Sequence, residues 1–162
     1  MISYYYVAAV TLVSGLVYFA MGLAVGRARG KSGIQPPAMT GDPILERTIR
    51  AHVNTLEWMP IFLPSLWLFA IYWSPTWAAL FGVVWIIGRI VYFVGYVAAV
   101  EKRSVGFLIQ FLAASALLLG GLGRIVYRLS ERTPCLAQED IVKRGTSERD
   151  SLHTDAPTFE QV

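Results

Sequence analysis

The sequence predicts an all-α integral membrane protein, a four-transmembrane-helix antiparallel bundle followed by a polar C-terminal tail. Three observations carry this expectation. The chain is 55% hydrophobic over 162 residues, with a mean hydropathy of +0.50, more apolar than a soluble domain averages. Four runs are long enough for a helix to cross about 30 Å of hydrocarbon, which takes roughly 20 residues. The polar stretches between them are short, so successive helices must turn back on one another. One four-helix domain is expected over residues 1–130, with a polar tail over 131–162.

Ile2 to Val25 is uncharged and forms the first span. It lacks a basic stretch before its apolar run and is too long for a signal peptide, so it is expected to be retained. A polar loop is predicted from Gly26 to about Gly41, holding Arg27, Arg29, Lys31 and the turn-forming Pro36-Pro37. Asp42-Pro43 reads as the N-cap and first residue of a second helix. That helix runs to about Tyr72 and is ~45 Å long at 1.5 Å per residue, so its first turns protrude beyond the hydrocarbon. WSPTW (Trp73–Trp77) is a tight turn whose tryptophans suit an interface. Trp77 to Ala99 is the third span, EKRS (Glu101–Ser104) a short charged loop, and Val105 to Tyr127 the fourth span. Beyond Ser130 the chain is polar and aperiodic, which predicts a mobile, disordered tail.

Charge orients the bundle. Residues 1–130 hold ten Lys/Arg against four Asp/Glu, and residues 131–162 hold four against seven. The first and third loops carry Arg27, Arg29, Lys31, Arg47, Lys102 and Arg103, whereas the N-terminus and second loop carry no Lys or Arg. The positive-inside rule then places those loops in the cytosol and both termini on the opposite side, with Arg124, Arg128 and Arg132 pulling the other way. A bacterial inner membrane and an endoplasmic reticulum membrane both fit. The single cysteine, Cys135, excludes an intrachain disulfide framework. His52 has no second histidine or cysteine nearby, so no metal site is expected.

Two polar stripes interrupt this apolar pattern. On the second helix, Arg47, Arg50, Asn54 and Glu57 follow spacings of three, four and three, which is one helical face. Counting back ~20 residues from Tyr72 leaves Arg50 at headgroup level and Asn54 and Glu57 about a turn inside. A carboxylate there needs a cation, a hydrogen-bonding partner or a wet cavity. A polar network that glues helices together is the plain alternative. On the third helix, Arg89, Tyr92 and Tyr96 share a face, and Arg103 joins them if the helix continues through the loop region. Arg89 lies near mid-span, where an arginine marks a functional site by default, with Glu57, on this helix pair or across a subunit interface, as its candidate partner. Together the stripes describe a pocket open to the cytosolic face. Its cations and phenols suit an anionic, peptide-like ligand, its carboxylate suits that ligand's amine, and its apolar walls suit a lipophilic second ligand.

The stretches ARGK (Ala28–Lys31), PPAMTGDPILERTIRAHVNTLEWMPIFLPSLW (Pro36–Trp67) and GRIVYFVGYVAAVEKRSVGF (Gly88–Phe107) resemble the family of membrane-associated proteins in eicosanoid and glutathione metabolism. The resemblance covers roughly residues 8 to 125, and its nearest branches are the microsomal glutathione transferases of the second and third types and leukotriene C4 synthase. It implies a homotrimer with glutathione as co-substrate bound between subunits, and no metal. By matching position it implies that Arg29, Arg50, Asn54, Glu57, Arg89, Tyr92 and Tyr96 hold glutathione, and that Arg103 activates its thiol. The implied activity is conjugation of glutathione to a lipophilic electrophile, with reduction of lipid hydroperoxides as a further activity. The implied partners are glutathione, membrane lipids and further copies of this chain, and not nucleic acid. Gly30, His52 and Trp58 depart from the leukotriene synthase pattern, which turns the expectation toward conjugation in general. A non-catalytic lipid-presenting role is the alternative within the family, and the presence of Arg50 and Arg103 favours the enzyme. A channel or transporter is disfavoured by short loops and the lack of an inverted repeat.

Overall fold

A computed structural model describes the backbone of residues 2–154 and the side chains of residues 4–131. Helix α1 spans Ile2–Ser32, α2 Pro43–Tyr72 and α3 Pro75–Ala98; a single 3-10 turn (Val100–Lys102) leads into α4, Arg103–Thr154. Among the described residues four helices are long and apolar enough to cross a membrane, and there is no strand. The chain divides into two compact units, Met1–Arg124 and Ile125–Val162. The second is helical as far as Thr154. Of the polar segment 131–162, residues 132–162, with Cys135 and His153, lie outside the residues whose side chains are described.

The helix ends follow from local chemistry. The Asp42 carboxylate accepts a hydrogen bond from the Leu45 N–H at 2.7 Å, capping α2 one residue before Pro43. Glu46 adds to this cap by accepting from the Gly41 N–H at 2.9 Å. Helix α1 overruns its expected end at Val25 and reaches Ser32. No proline lies between Gly26 and Ser32, and Arg27, Ala28, Arg29 and Lys31 favour a helix enough to carry it past Gly30. The stop comes at Gly33, whose φ of 70° lets its N–H return to the Arg29 carbonyl at 2.9 Å, a left-handed cap that glycine adopts without strain.

The first unit packs around aromatic and small side chains. Phe62 of α2 and Trp85 of α3 are fully buried and stack with ring centres 3.8 Å apart. Leu66, Phe69, Ala78, Ala114 and Leu117 close the same core. Helix α1 is fastened to α2 by the Trp67 indole, which donates to the Thr11 hydroxyl at 3.2 Å. Leu12, Leu16, Phe19 and Leu119 face outward. In water such a surface would drive association, whereas lipid solvates it. The outer face therefore agrees with helix length in making this an integral membrane protein.

Candidate functional site

Antiparallel packing sets the N-terminal half of α2 against the C-terminal half of α3 and the first turns of α4. Close backbone approach makes this junction possible. A Cβ added at Gly88 would lie 2.7 Å from the Gln110 backbone nitrogen, and one at Gly106 would overlap the Tyr92 backbone. The glycines let α3 and α4 meet nearly backbone to backbone, and that contact carries polar side chains inward.

A cavity of about 260 Å³ opens here, lined by Arg50, Asn54, Tyr92, Tyr96, Arg103 and Phe107. Five of these six are candidate residues from the two sequence stripes. An adjoining recess of about 410 Å³ shares Arg50 and Tyr96 and adds Glu46 and Arg47. A larger groove between α1 and α3 is lined mainly by aliphatic groups such as Val10, Val13 and Leu80. Its lining carries no charged group, whereas two arginines line the smaller cavity.

The α2 stripe is internally bonded. Asn54 Nδ2 donates to Glu57 Oε2 at 3.0 Å, and Arg50 Nη1 reaches Glu57 Oε1 at 3.5 Å. The Arg50 and Glu57 side chains are 61% and 49% exposed. A long ion pair that open to solvent adds little stability and can be exchanged for the charges of a ligand.

Arg89 is fully buried, and within this chain its hydrogen bonds go to Asn54 and Gln110 rather than directly to Glu57. Its two terminal nitrogens donate to Asn54 Oδ1 at 3.2 and 3.3 Å, and Nη1 also donates to Gln110 Oε1. Asn54 stands between the two charges, accepting from Arg89 with its oxygen and donating to Glu57 with its nitrogen. The guanidinium further lies 5.0 Å from the Tyr92 ring centre and 5.7 Å from that of Trp85, where the ring faces attract a cation. Arg89 thus sits behind Asn54 and is not part of the cavity wall.

Tyr92 and Tyr96 stack with ring centres 5.6 Å apart. Arg103 reaches them by a different route from a continued helix. The chain leaves α3 at Ala99 with φ −157° and ψ 141°, makes the 3-10 turn, and Arg103 begins α4. The reversal still aims Arg103 back at the site, 5.7 Å from the Tyr96 ring centre. Arg29 stands apart from the cavity. It donates to the carbonyls of Ala38 at 2.8 Å and Ile34 at 3.4 Å, bracing the loop after α1. His52 stacks on Tyr18 with ring centres 4.4 Å apart, between α1 and α2.

Sequence reasoning missed Phe107 and Gln110. Both carried a signal, since Arg103, Phe107 and Gln110 follow spacings of four and three and share one face of α4. Phe107 also joins an apolar wall, with Trp58 at 6.2 Å from Phe107 and 6.3 Å from Phe111 between ring centres. Charged and phenolic groups therefore meet an aromatic surface along one edge of the cavity.

The MAPEG family model matches residues 7–123. An uncharacterized protein of Synechocystis sp. is 47% identical over 124 residues, covering 76% of this chain and 90% of that protein. Human microsomal glutathione S-transferase 2 is 42% identical over 117 residues, covering 72% of this chain and 80% of its own length. Leukotriene C4 synthase of Bos taurus is 35% identical over 141 residues, covering 75% and 94% respectively.

Proposed function

The chain belongs to the MAPEG family, and on that premise we propose that it is a membrane-bound glutathione transferase that presents glutathione, as its thiolate, to lipophilic electrophiles. The observation that carries this reading is the cavity in which Arg50, Asn54, Tyr92, Tyr96 and Arg103 converge beside Phe107. Glutathione brings two carboxylates, an ammonium group, two peptide bonds and a thiol. Arg50 and Asn54 offer donors to its acceptors, and Glu57 offers a carboxylate to its amine. The named glutathione transferase and leukotriene synthase relatives support a glutathione-using enzyme.

Arg103 is the residue proposed to face the sulfur. An ordinary thiol has a pKa of ~8.5, so most of it is protonated at neutral pH. A guanidinium beside it favours the anion, and lowering the pKa by one unit corresponds to about 1.4 kcal/mol. The thiol proton leaves to solvent. The sulfur lone pair then forms a bond to the electrophilic carbon, and the displaced group leaves with its electron pair. With a hydroperoxide, the sulfur takes the terminal oxygen and the alcohol departs. A second glutathione then resolves the sulfenic acid to disulfide and water. Trp58, Phe107 and Phe111 supply an aromatic surface for the apolar partner, which the bilayer concentrates.

In this reading the protein is a homotrimer. Arg29, engaged with its own loop in one chain, joins glutathione from a neighbouring subunit. The positive loops orient the site toward the cytosol. The test is turnover by purified protein given glutathione with a chlorodinitrobenzene-type electrophile or a lipid hydroperoxide. Conjugate or alcohol formation above the uncatalysed rate supports the transferase. Tight glutathione binding with no turnover of either class favours the lipid-presenting alternative.

A further inference from the structure

Gln110 lies two turns into α4, fully buried, and its carbonyl oxygen accepts a hydrogen bond from Arg89. Arg89 in turn directs both terminal nitrogens at Asn54 Oδ1, and Asn54 lines the cavity. These three side chains form a connected line from α4 through α3 to α2. Its position is set by backbone, because α3 touches α4 at the Gly88–Gln110 crossing.

Stability does not explain the line. Among the described residues, Arg89 Nε and Gln110 Nε2 are buried without a hydrogen-bond partner. A buried donor without a partner is costly, and an apolar pair of similar volume would pack here without that penalty. What the line does achieve is direction. A primary amide can present either its oxygen or its nitrogen. With Oδ1 of Asn54 claimed by Arg89, Nδ2 is left facing Glu57 and the cavity. Gln110 holds the guanidinium that makes this choice.

We infer that Gln110 is a positioning residue for glutathione: through Arg89 it fixes the Asn54 amide with its donor end toward the ligand. The matching end of the ligand is then an acceptor, a carboxylate or peptide carbonyl oxygen. This inference rests on the glutathione reading of the cavity. Gln110 is fully buried and does not line the cavity, so its removal is expected to act on binding more than on the chemical step.

The experiment compares full-length wild type with Q110M, Q110E and Q110N, purified in one detergent, by glutathione titration and steady-state kinetics with one electrophile. Methionine keeps the shape without an acceptor, and Q110M is expected to raise the KM and Kd for glutathione about tenfold while kcat falls less than twofold. Arg89 loses one acceptor in Q110M, so the variant's thermal midpoint should not exceed that of wild type. Glutamate retains an acceptor for Arg89, and Q110E is expected to stay within about twofold of wild type. In an Asn54→Ala background, Q110M should have no further effect on KM, since the line then ends before the cavity. Should Q110M fail to assemble, Q110N reads the same quantity, its amide being one methylene short of Arg89. Full glutathione affinity in Q110M or in Q110N, or an undiminished effect of Q110M in the Asn54→Ala background, overturns the inference and leaves the glutathione reading intact. A wild type that binds no glutathione overturns both.

Discussion

Arg103 and Tyr96 belong to different helices, yet the Arg103 guanidinium lies 5.7 Å from the centre of the Tyr96 ring. A sharp reversal at Ala99 and a single 3-10 turn bring them together. This places a cation at the mouth of a cavity whose other walls carry an amide, two phenols and a second arginine. If the cation acts on sulfur, Arg103→Ala should keep glutathione binding within a few-fold and lose the thiolate absorbance at neutral pH. An unchanged thiolate signal in that variant would move the activating role to Tyr92 or Arg29.

The pH dependence follows from the same placement, with its sign set by the ligand. Thiolate is the reactive form, so the rate rises with pH through the pKa of the bound thiol. In wild type that inflection should fall below ~8.5, the ordinary thiol value. In Arg103→Ala it should move up toward that value, because the favourable charge is gone. A pH–rate profile at saturating glutathione measures both.

Glu57 is held by Asn54 and by a long contact to Arg50, leaving it able to meet an ammonium group. Glu57→Gln should therefore weaken binding of glutathione more than binding of a des-amino analogue. Equal losses for the two ligands would make Glu57 a purely structural partner of Asn54.

Gly106 lets α4 lie against the backbone at Tyr92. A methyl group there must push two helices apart, and overpacking of this kind costs about 1–3 kcal/mol. Gly106→Ala should lower the thermal midpoint in detergent. It should also weaken glutathione binding, because Tyr92 and Arg103 lie on opposite sides of that contact. Gly123 has open space around it, and Gly123→Ala should do neither.

The parts of this protein legible in its sequence are those set by local chemistry. Asp42-Pro43 announces the start of α2, and the hydropathy of the four runs announces the spans. The helical spacing of Arg50, Asn54 and Glu57 stands in the sequence itself, as does that of Arg89, Tyr92 and Tyr96. What depends on tertiary approach is not legible in the same way. Charge alone pairs Glu57 with Arg89, but Asn54 occupies the space between them and bonds to both. Helical periodicity alone brings Arg103 to the site only through a continuous helix, whereas a chain reversal delivers it. Gln110 is inconspicuous in sequence because one amide in a long apolar run stands out less than an arginine. Its meaning comes from the helix opposite it.

Activation of glutathione as its thiolate is read directly from the ultraviolet difference spectrum recorded when glutathione is added to purified protein across a range of pH. A thiolate band is expected that saturates with glutathione, is already present at neutral pH and is lost in Arg103→Ala. A protein that binds no glutathione, or whose bound thiol ionises only near ~8.5 as it does free in water, would contradict that activation.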